Sequence, residues 1–327
     1  MTPAAERWFA SHTFDAGRFD VAALVAAKRA AGVSVSVVIP ARNEQATVAG
    51  VAGQIRRALV TAGLVDELVV IDSDSTDATA DEARRAGALV HAARAIDTGD
   101  AGMSGKGEAL WKSLFVTRGD LLVFVDADLT EWGPHFVTGL LGPLLTDPRV
   151  QLVKGFYDRL TDDLPGSDDS AVPQGGRVTE LVARPMLNLY WPELAALVQP
   201  LAGEWAISRA LIETLPIPVG YGVEFATVTD TWRRHGLDAI AQVDLGRRGH
   251  RHQNVHDLGV MAAEILATAL RRLTPELAPP ARTLQQYDRG AAGGWVSRAV
   301  PLTERPPANS LARYQPGYQL GTPRCSS

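Results

Sequence analysis

The stretch LLVFVDADL at residues 121–129 places two aspartates one residue apart, directly after five apolar residues. The apolar run predicts a buried strand, and burying an unpaired carboxylate is costly. Asp126 and Asp128 are therefore expected where the strand leaves the core and meets a cation. Because alternate side chains of an extended segment point to the same side, both carboxylates would face that cation.

The segments before this strand alternate between strand and helix patterns. Runs of β-branched or apolar residues predict strands, and apolar residues three or four apart predict helices. The predicted elements are strand 33–39, ended by Pro40, helix 45–62, strand 68–71, helix 76–85, strand 89–90 and helix 107–116. Repeated β-α-β units predict an α/β fold with a mostly parallel central sheet, flanked by helices. The acid pair would then lie at the carboxyl edge of the sheet, where open α/β sheets bind ligands.

The second half of the chain is less regular. Residues 150–156 predict one more strand, and residues 158–176 collect the Asp, Ser, Pro and Gly of a mobile loop. Helical periodicity returns at 177–197 and 261–273, whereas Pro and Gly punctuate the chain from residue 275 onward, which is typical of an extended tail. These changes divide the chain into an α/β core at 1–150, a second region at 151–274 and a tail at 275–327.

The composition is that of a globular protein: of 327 residues, 46% are hydrophobic and 21% are charged. A net charge of −5 provides no general attraction to nucleic acid or to an anionic membrane, so neither is an expected partner. No apolar run approaches the roughly 20 residues of a membrane span, and the N-terminus has no targeting pattern. The single cysteine, Cys325, allows neither an internal disulfide nor a thiolate metal site. A cytoplasmic protein is expected.

The acidic strand ends predict a nucleotide pocket. Magnesium commonly takes one or two carboxylates together with substrate phosphates, so Asp126 and Asp128 could anchor a metal–diphosphate unit. Helix capping by one of them is the alternative. The turns PARNE and DSDST end two earlier strands on the same edge and offer oxygen acceptors to a ribose and a base. Asn43 or Ser75 could equally cap a helix there.

Two glycine-containing stretches are candidates for phosphate binding. GDAGMSGKGEAL at 99–110 differs from a P-loop, because Asp100 replaces a glycine and Gly107 stands where Ser or Thr would follow the lysine. Lys106 is still expected to place a point charge near a phosphate, the alternative being a solvated surface lysine. GGRVTEL at 175–181 puts Arg177 and Thr179 at a helix start, where N–H groups and a guanidinium bind anions. An ordinary solvated first turn is the alternative.

Two later stretches add candidate ligands. GYGVEF at 220–225 puts Glu224 after a flexible turn, and RRGHRHQ at 247–253 puts His250 among arginines. A lone histidine is usually structural, but a metal held by two aspartates lacks a further protein ligand, which His250 or His252 could supply. A zinc hydrolase is disfavoured because the chain has no HExxH motif.

With these residues assembled, the chain resembles the retaining GT-A type glycosyltransferases, and most closely the actinobacterial glucosyl-3-phosphoglycerate synthases. The resemblance covers nearly the whole chain and is carried by VSVVIPARNE, VVIDSDSTDAT, GKGEALWKSL, VFVDADL, GGRVTEL, LAGEWAISR, GYGVE and RGHR. It implies a GT-A fold and a homodimeric hexosyltransferase that moves glucose from UDP-glucose to the 2-hydroxyl of 3-phosphoglycerate with retention. It also implies Mg²⁺ as the metal, with Mn²⁺ or Co²⁺ as substitutes, and a product of the methylglucose lipopolysaccharide or glucosylglycerate pathway.

The resemblance also implies roles for individual residues. Region 1–150 would bind the nucleotide sugar and region 151–274 the acceptor. The nucleotide side would be formed by Pro40, Ala41, Asn43, Glu44, Ser73, Lys106 and Asp126. The metal would be held by Asp128 and His250, and the catalytic groups would be Asp128, Glu224 and Lys106. The acceptor and sugar would be bound by Gly176, Arg177, Thr179, Glu224, Arg248 and His252. Two positions depart from the family pattern: Arg42 stands where a smaller apolar residue is expected, and His252 where an asparagine is expected.

Three other functions remain possible on the same residues. A mannosyl-3-phosphoglycerate synthase would use GDP-mannose on nearly the same scaffold. A non-catalytic nucleotide-sugar binding module would act through its dimer surface, although the intact Asp126, Asp128, Lys106 and His250 argue against it. A nucleotidyltransferase would need a basic glycine-rich loop after its first strand, where this chain has PARNE. For the transferase, front-face attack is expected instead of double displacement, because no additional carboxylate is evident at the sugar.

Overall fold

In the computed structural model of the protein, residues 1–99, 102–160, 176–249, 255–276, 279, 282–290 and 293–316 are described. The strands are β1 Thr13–Asp15, β2 Val35–Ala41, β3 Glu67–Asp72, β4 Leu89–Ala92, β5 Leu121–Phe124, β6 Leu152–Leu160, β7 Trp205–Ser208, β8 Ile217–Pro218, β9 Ile240–Gly249, β10 Thr283–Tyr287, β11 Trp295–Ala299 and β12 Glu304–Arg305. The α-helices are α1 Pro3–His12, α2 Val21–Ala31, α3 Val48–Ile55, α4 Thr79–Arg85, α5 Lys106–Val116, α6 His135–Thr146, α7 Arg184–Tyr190, α8 Arg209–Ile212, α9 Val223–His235 and α10 Val255–Leu273. Among the described residues, no helix combines the length and apolar character that crossing a membrane requires.

Eight of the described strands form one sheet in the order β1-β9-β6-β7-β5-β2-β3-β4. Strand β7 is antiparallel to both of its neighbours, and the other adjacent pairs are parallel. The prediction of an α/β fold with a mostly parallel sheet is therefore confirmed. Because β7 runs in the opposite direction, the residues just before it lie at the edge where β5, β6 and β9 end. The predicted boundary at residue 150 falls within this sheet, since β6, β7 and β9 come after it.

Helices cover both faces of the sheet, which explains the continuous apolar strands. Val38 of β2 packs into one core layer together with Trp111 of α5 and Phe225 of α9. Val37 and Ile39 pack into the other layer, with helices α3 and α6. A strand that is buried on both faces needs apolar residues at every position instead of at alternate ones.

Several predicted elements differ from the observed ones for local reasons. Strand β2 continues through Pro40 to Ala41, and only its pairing with β5 stops earlier, at Val38. The predicted helix 177–197 is divided into a π-helical segment Thr179–Ala183, α7 and a 3₁₀ segment Pro192–Ala196. Helix α7 ends before Pro192 because the residue preceding a proline disfavours helical geometry. Of the predicted loop 158–176, residues 158–160 belong instead to β6, and residues 161–175 lie outside the described part. The predicted extended tail contains a hairpin of β10 and β11 and the short strand β12, whereas α1 and α2 were not predicted.

The C-terminal segment is anchored to helix α5 by buried charges. Arg305 of β12 donates twice to Glu108, from Nε to Oε2 and from Nη2 to Oε1, at 2.7 Å each. Both side chains are almost fully buried, and the Arg305 guanidinium stacks over the Trp111 ring. Trp111 Nε1 donates to the Pro306 carbonyl at 2.9 Å. A bidentate pair of this kind fixes orientation as well as distance, so the tail sets the position of the first turn of α5.

Candidate active site

A cleft with a volume of about 660 Å³ opens at the carboxyl edge of the sheet. Its floor is formed by the ends of β2, β3 and β5, and its walls include the start of α5, the turn before α9 and one face of α10. The charged lining residues are Arg42, Glu44, Lys106, Asp126, Asp128, Arg177, Glu224, Arg248 and Glu264. The topology therefore brings charged groups from distant parts of the chain into one space.

Lys106, the first residue of α5, joins the acid pair to the opposite wall of the cleft. Its Nζ lies 2.9 Å from Asp126 Oδ1 and 2.9 Å from Glu224 Oε1. Burial alone would lower the pKa of Lys106, but the Asp126 and Glu224 carboxylates outweigh burial and hold that pKa well above its usual value. Burial likewise opposes ionisation of Asp126, yet Lys106 and Arg248 keep the Asp126 pKa below its usual range. Lys106 and Asp126 are thus both charged at neutral pH.

Arg248, near the end of β9, contacts both aspartates from the other side. Its Nη2 donates to Asp126 Oδ2 at 3.0 Å and to Asp128 Oδ1 at 3.2 Å. Its Nη1 donates to the Tyr157 hydroxyl and, at 3.3 Å, to Glu204 Oε2. Burial would lower the pKa of Arg248, but the carboxylates around it raise that pKa further above its usual value. The guanidinium therefore holds two like charges close together while the Asp128 side chain stays 29% exposed.

Two more ionisable groups lie deeper, next to the acid pair. Glu204 is fully buried, and burial raises its pKa. Lys154 is also buried, donates to the Ala202 carbonyl at 2.7 Å and has its pKa lowered to about 7 by burial. The site is thus backed by an interior of low dielectric constant, in which charge–charge interactions are stronger than in water.

The loops after β2 and β3 form one end of the cleft. The lining residues there include Pro40, Ala41, Glu44 and Ser73. Asn43 is exposed outside the cleft lining and connects the two loops: its Oδ1 accepts from the Thr76 N–H at 2.8 Å, and its own N–H donates to Ser75 Oγ at 2.9 Å. Asn43 has a φ of 57°, a left-handed conformation that asparagine tolerates better than most residues. The left-handed backbone and the two hydrogen bonds to the neighbouring loop together explain why an asparagine occupies position 43.

The glycines around Lys106 serve close packing between backbones. A Cβ on Gly105 would lie 2.2 Å from the Val219 carbonyl oxygen, and a Cβ on Gly107 would lie 1.8 Å from the Pro218 carbonyl oxygen. The start of α5 therefore approaches β8 more closely than any side chain would permit. This close contact explains why glycines flank Lys106 although the stretch is not a P-loop. It also places Lys106 beside Glu224.

The acceptor residues expected from the sequence line the wall that faces the acid pair. Gly176, Arg177 and Thr179 belong to the first turn before α7, with the Arg177 side chain exposed and Thr179 buried. His250 and His252 lie outside the described residues. Of the predicted site residues that are described, all except Asn43 line the same cleft.

Several lining residues were not found by sequence reasoning. The main ones are Gly203, Tyr221, Met261 and Glu264. Gly203 leaves room for the acid pair, since a Cβ there would lie 2.2 Å from Asp126 Oδ2. Glu264 interrupts the apolar face of α10 between Met261 and Ile265, and a carboxylate on the buried side of an amphipathic helix was an available signal.

Comparison with known proteins gives first a class and then a family. Residues 36–183 match Glycosyl transferase family 2, and together with the sheet and the acid pair this match defines a glycosyltransferase of the GT-A type. A glucosyl-3-phosphoglycerate synthase of Mycolicibacterium smegmatis is 46% identical over 305 residues, which cover 93% of this chain and 98% of the relative. The chain belongs to the family of glucosyl-3-phosphoglycerate synthases.

Two solved structures resemble the protein over most of its length. The Mycobacterium tuberculosis glucosyl-3-phosphoglycerate synthase, in complex with Mn²⁺, UDP-glucose and phosphoglyceric acid, is 44% identical with a TM-score of 0.79, covering 89% of this chain and 95% of that chain. The mannosyl-3-phosphoglycerate synthase of Rubrobacter xylanophilus is 38% identical with a TM-score of 0.84, covering 94% and 98%. Since synthases of two names share this fold, the fold by itself does not select the donor sugar.

Proposed function

We propose that this protein transfers glucose from UDP-glucose to the 2-hydroxyl of 3-phosphoglycerate, giving glucosyl-3-phosphoglycerate. The observation that carries this function is the identity of 46% over nearly the full length of a glucosyl-3-phosphoglycerate synthase. The cleft supports this function. The acidic strand end with Asp126 and Asp128 suits a metal–diphosphate unit such as that of the donor, and Arg177 at a helix start suits the phosphate of the acceptor.

The donor would lie along the floor of the cleft. The uridine is assigned to the loops after β2 and β3, with contacts from Pro40, Ala41, Glu44 and Ser73. Asn43 would hold these two loops in position through its hydrogen bonds between them. Asp126 would contact the ribose side, and Lys106 the phosphates. Glu224, which is already oriented by Lys106, would bind hydroxyls of the glucose.

A divalent cation fits the residues that hold the diphosphate in this assignment. Lys106 and Arg248 are both paired with carboxylates of the protein. Their positive charges are therefore largely neutralised, and a diphosphate in the cleft would need a further cation. The described residues contain no cluster of three His, Cys, Asp or Glu around one point, so a cation there would depend on Asp128, substrate oxygens and His250. Mg²⁺ is the proposed ion, with Mn²⁺ or Co²⁺ as substitutes; when bound, it would supply Lewis-acid stabilisation of the leaving diphosphate.

The acceptor is assigned to region 151–274. The Arg177 guanidinium and the backbone of Gly176 and Thr179 would bind the phosphate or carboxylate of 3-phosphoglycerate. Arg248 and His252 would also contact the acceptor. Arg248 also keeps Asp126 and Asp128 in place, so its removal should disturb donor and acceptor together.

Retention is proposed to follow a front-face attack of the acceptor hydroxyl as the diphosphate leaves. Double displacement needs a carboxylate that is free to act as a nucleophile. Asp126 and Glu224 are each 2.9 Å from the Lys106 ammonium, which lowers the nucleophilicity of both. Arg177 would orient the acceptor, and the departing phosphate would accept its proton.

We further propose a cytoplasmic homodimer. Large apolar side chains are exposed just before α7, at the end of α7 and on the β10–β11 hairpin, namely Leu181, Leu189, Tyr190, Tyr287 and Trp295. Exposed apolar groups of this size favour burial against another protein surface. Sedimentation analysis of the purified protein tests the dimer, and a monomer at micromolar concentration would contradict it.

The test of the function is a direct choice between donors. Purified protein is incubated with 3-phosphoglycerate and Mg²⁺, and with either UDP-glucose or GDP-mannose, and the product is identified by mass and by NMR of the anomeric proton. We expect a glucosylated product with retained configuration. A mannosylated product would assign the mannosyl activity, which the likeness to the Rubrobacter xylanophilus protein makes the second candidate. Donor binding without any product would indicate a non-catalytic module.

The space around Asp126 provides a further test of the donor site. Gly203→Ala would bring a Cβ within 2.2 Å of Asp126 Oδ2, so the carboxylate must move. Overpacking of this kind typically costs about 1–3 kcal/mol, and we expect roughly a tenfold loss in kcat/KM for UDP-glucose. Gly50→Ala on α3 is the matched control, since nothing lies within 4 Å of its Cβ. Steady-state kinetics in which both variants match the native protein would contradict the assignment of Asp126.

A further inference from the structure

The far wall of the cleft contains a second buried carboxyl group that the proposed reaction does not yet use. Glu264, on the cleft-facing side of α10, is only 4% exposed. Its surroundings on the helix are apolar, with Leu258, Met261 and Ile265 lining the same wall. Burying a carboxyl group among apolar residues costs free energy unless the group has a hydrogen-bonding partner, so Glu264 needs a specific contact at this position.

One oxygen of Glu264 has such a contact. Oε2 accepts a hydrogen bond from the Tyr221 N–H at 2.6 Å, in the turn that leads into α9 and Glu224. The turn is packed tightly against the carboxyl group, since a Cβ on Gly220 would lie 1.8 Å from Oε2. The other oxygen, Oε1, makes no hydrogen bond with any described residue, although Glu264 lines the cleft. It is therefore available to a ligand.

The position of Glu264 in the cleft identifies the part of the ligand it would meet. Lys106 spans from Asp126, at the diphosphate end, to Glu224 on α9. Glu264 lines the same cleft, contacts the turn that leads from Tyr221 to Glu224, and is close enough to the Glu224 carboxylate for that charge to raise its pKa. In the donor assignment made above, on which this inference rests, that space belongs to the sugar.

We propose that Glu264 is a further substrate-binding residue, which holds the Gly220–Gly222 turn through Oε2 and binds a hydroxyl of the donor sugar through Oε1. Glu224 and Glu264 then contact the hexose from two helices. The sugar would bury Glu264 further and remove the remaining water from its carboxyl group.

Binding of the sugar should consequently be linked to protonation of Glu264. Burial raises the pKa of Glu264 to about 7, with a smaller contribution from the Glu224 carboxylate. The other ionisable groups near it are Tyr221 and Lys106 on the cleft side and Arg271 and Glu304 on the tail side. Because further burial disfavours the ionised form, the sugar should bind the protonated form more tightly, with the Oε1 hydroxyl group of Glu264 donating to an oxygen of the sugar. Affinity should be full below pH 7 and should decline as the pH rises through that value.

The experiment compares UDP-glucose with UDP, in the presence of Mg²⁺, by calorimetry between pH 6 and pH 8.5. For the native protein, we expect the affinity for UDP-glucose to fall about threefold to tenfold relative to that for UDP over this range, as one raised carboxyl pKa predicts. Glu264→Gln keeps the shape and an acceptor for Tyr221 and should remove this pH dependence. Glu264→Ala should weaken UDP-glucose about fivefold, the typical effect of one lost hydrogen bond, and leave UDP within twofold.

The outcomes separate this inference from the proposed function. A Gln variant with the native pH dependence, or an Ala variant that weakens UDP and UDP-glucose equally, would show that Glu264 only supports the turn. Unchanged UDP affinity in the Gln variant reports that the cleft has kept its structure. A protein that shows the expected binding but transfers nothing to 3-phosphoglycerate would overturn the proposed function and leave the role of Glu264 in place.

Discussion

Asp128→Ala is expected to reduce glucosyl transfer about a thousandfold or more, because Lewis-acid stabilisation of a leaving diphosphate contributes several kcal/mol. The fold should persist, since Asp128 is partly exposed and its partner Arg248 keeps contacts with Asp126 and Glu204. Turnover measured with increasing Mg²⁺ tests the expectation, together with metal binding followed by calorimetry.

The matched control for this variant is Asp81→Ala on α4, which removes an exposed carboxylate that does not line the cleft. Its activity should equal that of the native protein. Asp128→Asn keeps the size of the side chain and loses the charge, so it should be nearly as inactive as Asp128→Ala. If transfer survived in Asp128→Ala, or if EDTA had no effect on the native protein, the assignment of the metal to Asp128 would be wrong.

Arg177→Ala is expected to lower kcat/KM for 3-phosphoglycerate and to leave binding of UDP-glucose nearly unchanged. Loss of a charge-assisted hydrogen-bond pair costs on the order of 2–4 kcal/mol, or roughly 30-fold to 1000-fold in acceptor kcat/KM. Lysine should restore only part of the activity, because it keeps the charge and lacks the planar guanidinium. Steady-state kinetics with each substrate varied in turn separate the two sites.

Glycerate, which lacks the phosphate, is the control substrate for Arg177. It should be a poor acceptor for the native protein and should lose little more in the variant. Equal losses with glycerate and 3-phosphoglycerate, or a loss of UDP-glucose affinity, would remove Arg177 from the phosphate site.

The sequence was sufficient to locate the acid pair because its position depends on local pattern. A strand of five apolar residues followed by Asp126 and Asp128 must leave the core at the carboxyl edge, and β5 does so. The parallel core follows from the same kind of reasoning, since a helix between two strands returns the chain to the edge where the first strand began, so that the strands run parallel. Lys106 and Arg177 were found because glycine-rich turns and helix starts are visible in short stretches.

The remaining parts of the site depend on contacts between distant residues. The direction of β7, and hence the place of Gly203 beside Asp126, is set by pairing with β5 and β6 and has no local signature. Arg248 was expected at the substrate, whereas the structure shows it bonded to both aspartates from a strand over a hundred residues further on. Asn43 was expected to line the nucleotide site and instead bonds a neighbouring loop, which only the pairing of β2 with β3 could reveal.

The ion pair between Arg305 and Glu108 connects the start of α5 to a segment of the chain that is translated much later. The two residues are 197 positions apart, so helix α5 leaves the ribosome long before its partner is translated. Until then Glu108 keeps Lys112, whose Nζ lies 3.4 Å from Glu108 Oε1, but lacks the two hydrogen bonds that Arg305 donates to it. We therefore expect Lys106, at the start of that helix, to be held less firmly between Asp126 and Glu224 until translation has passed residue 305. A nascent chain that ends before Arg305 should consequently have a less ordered cleft than the full-length protein.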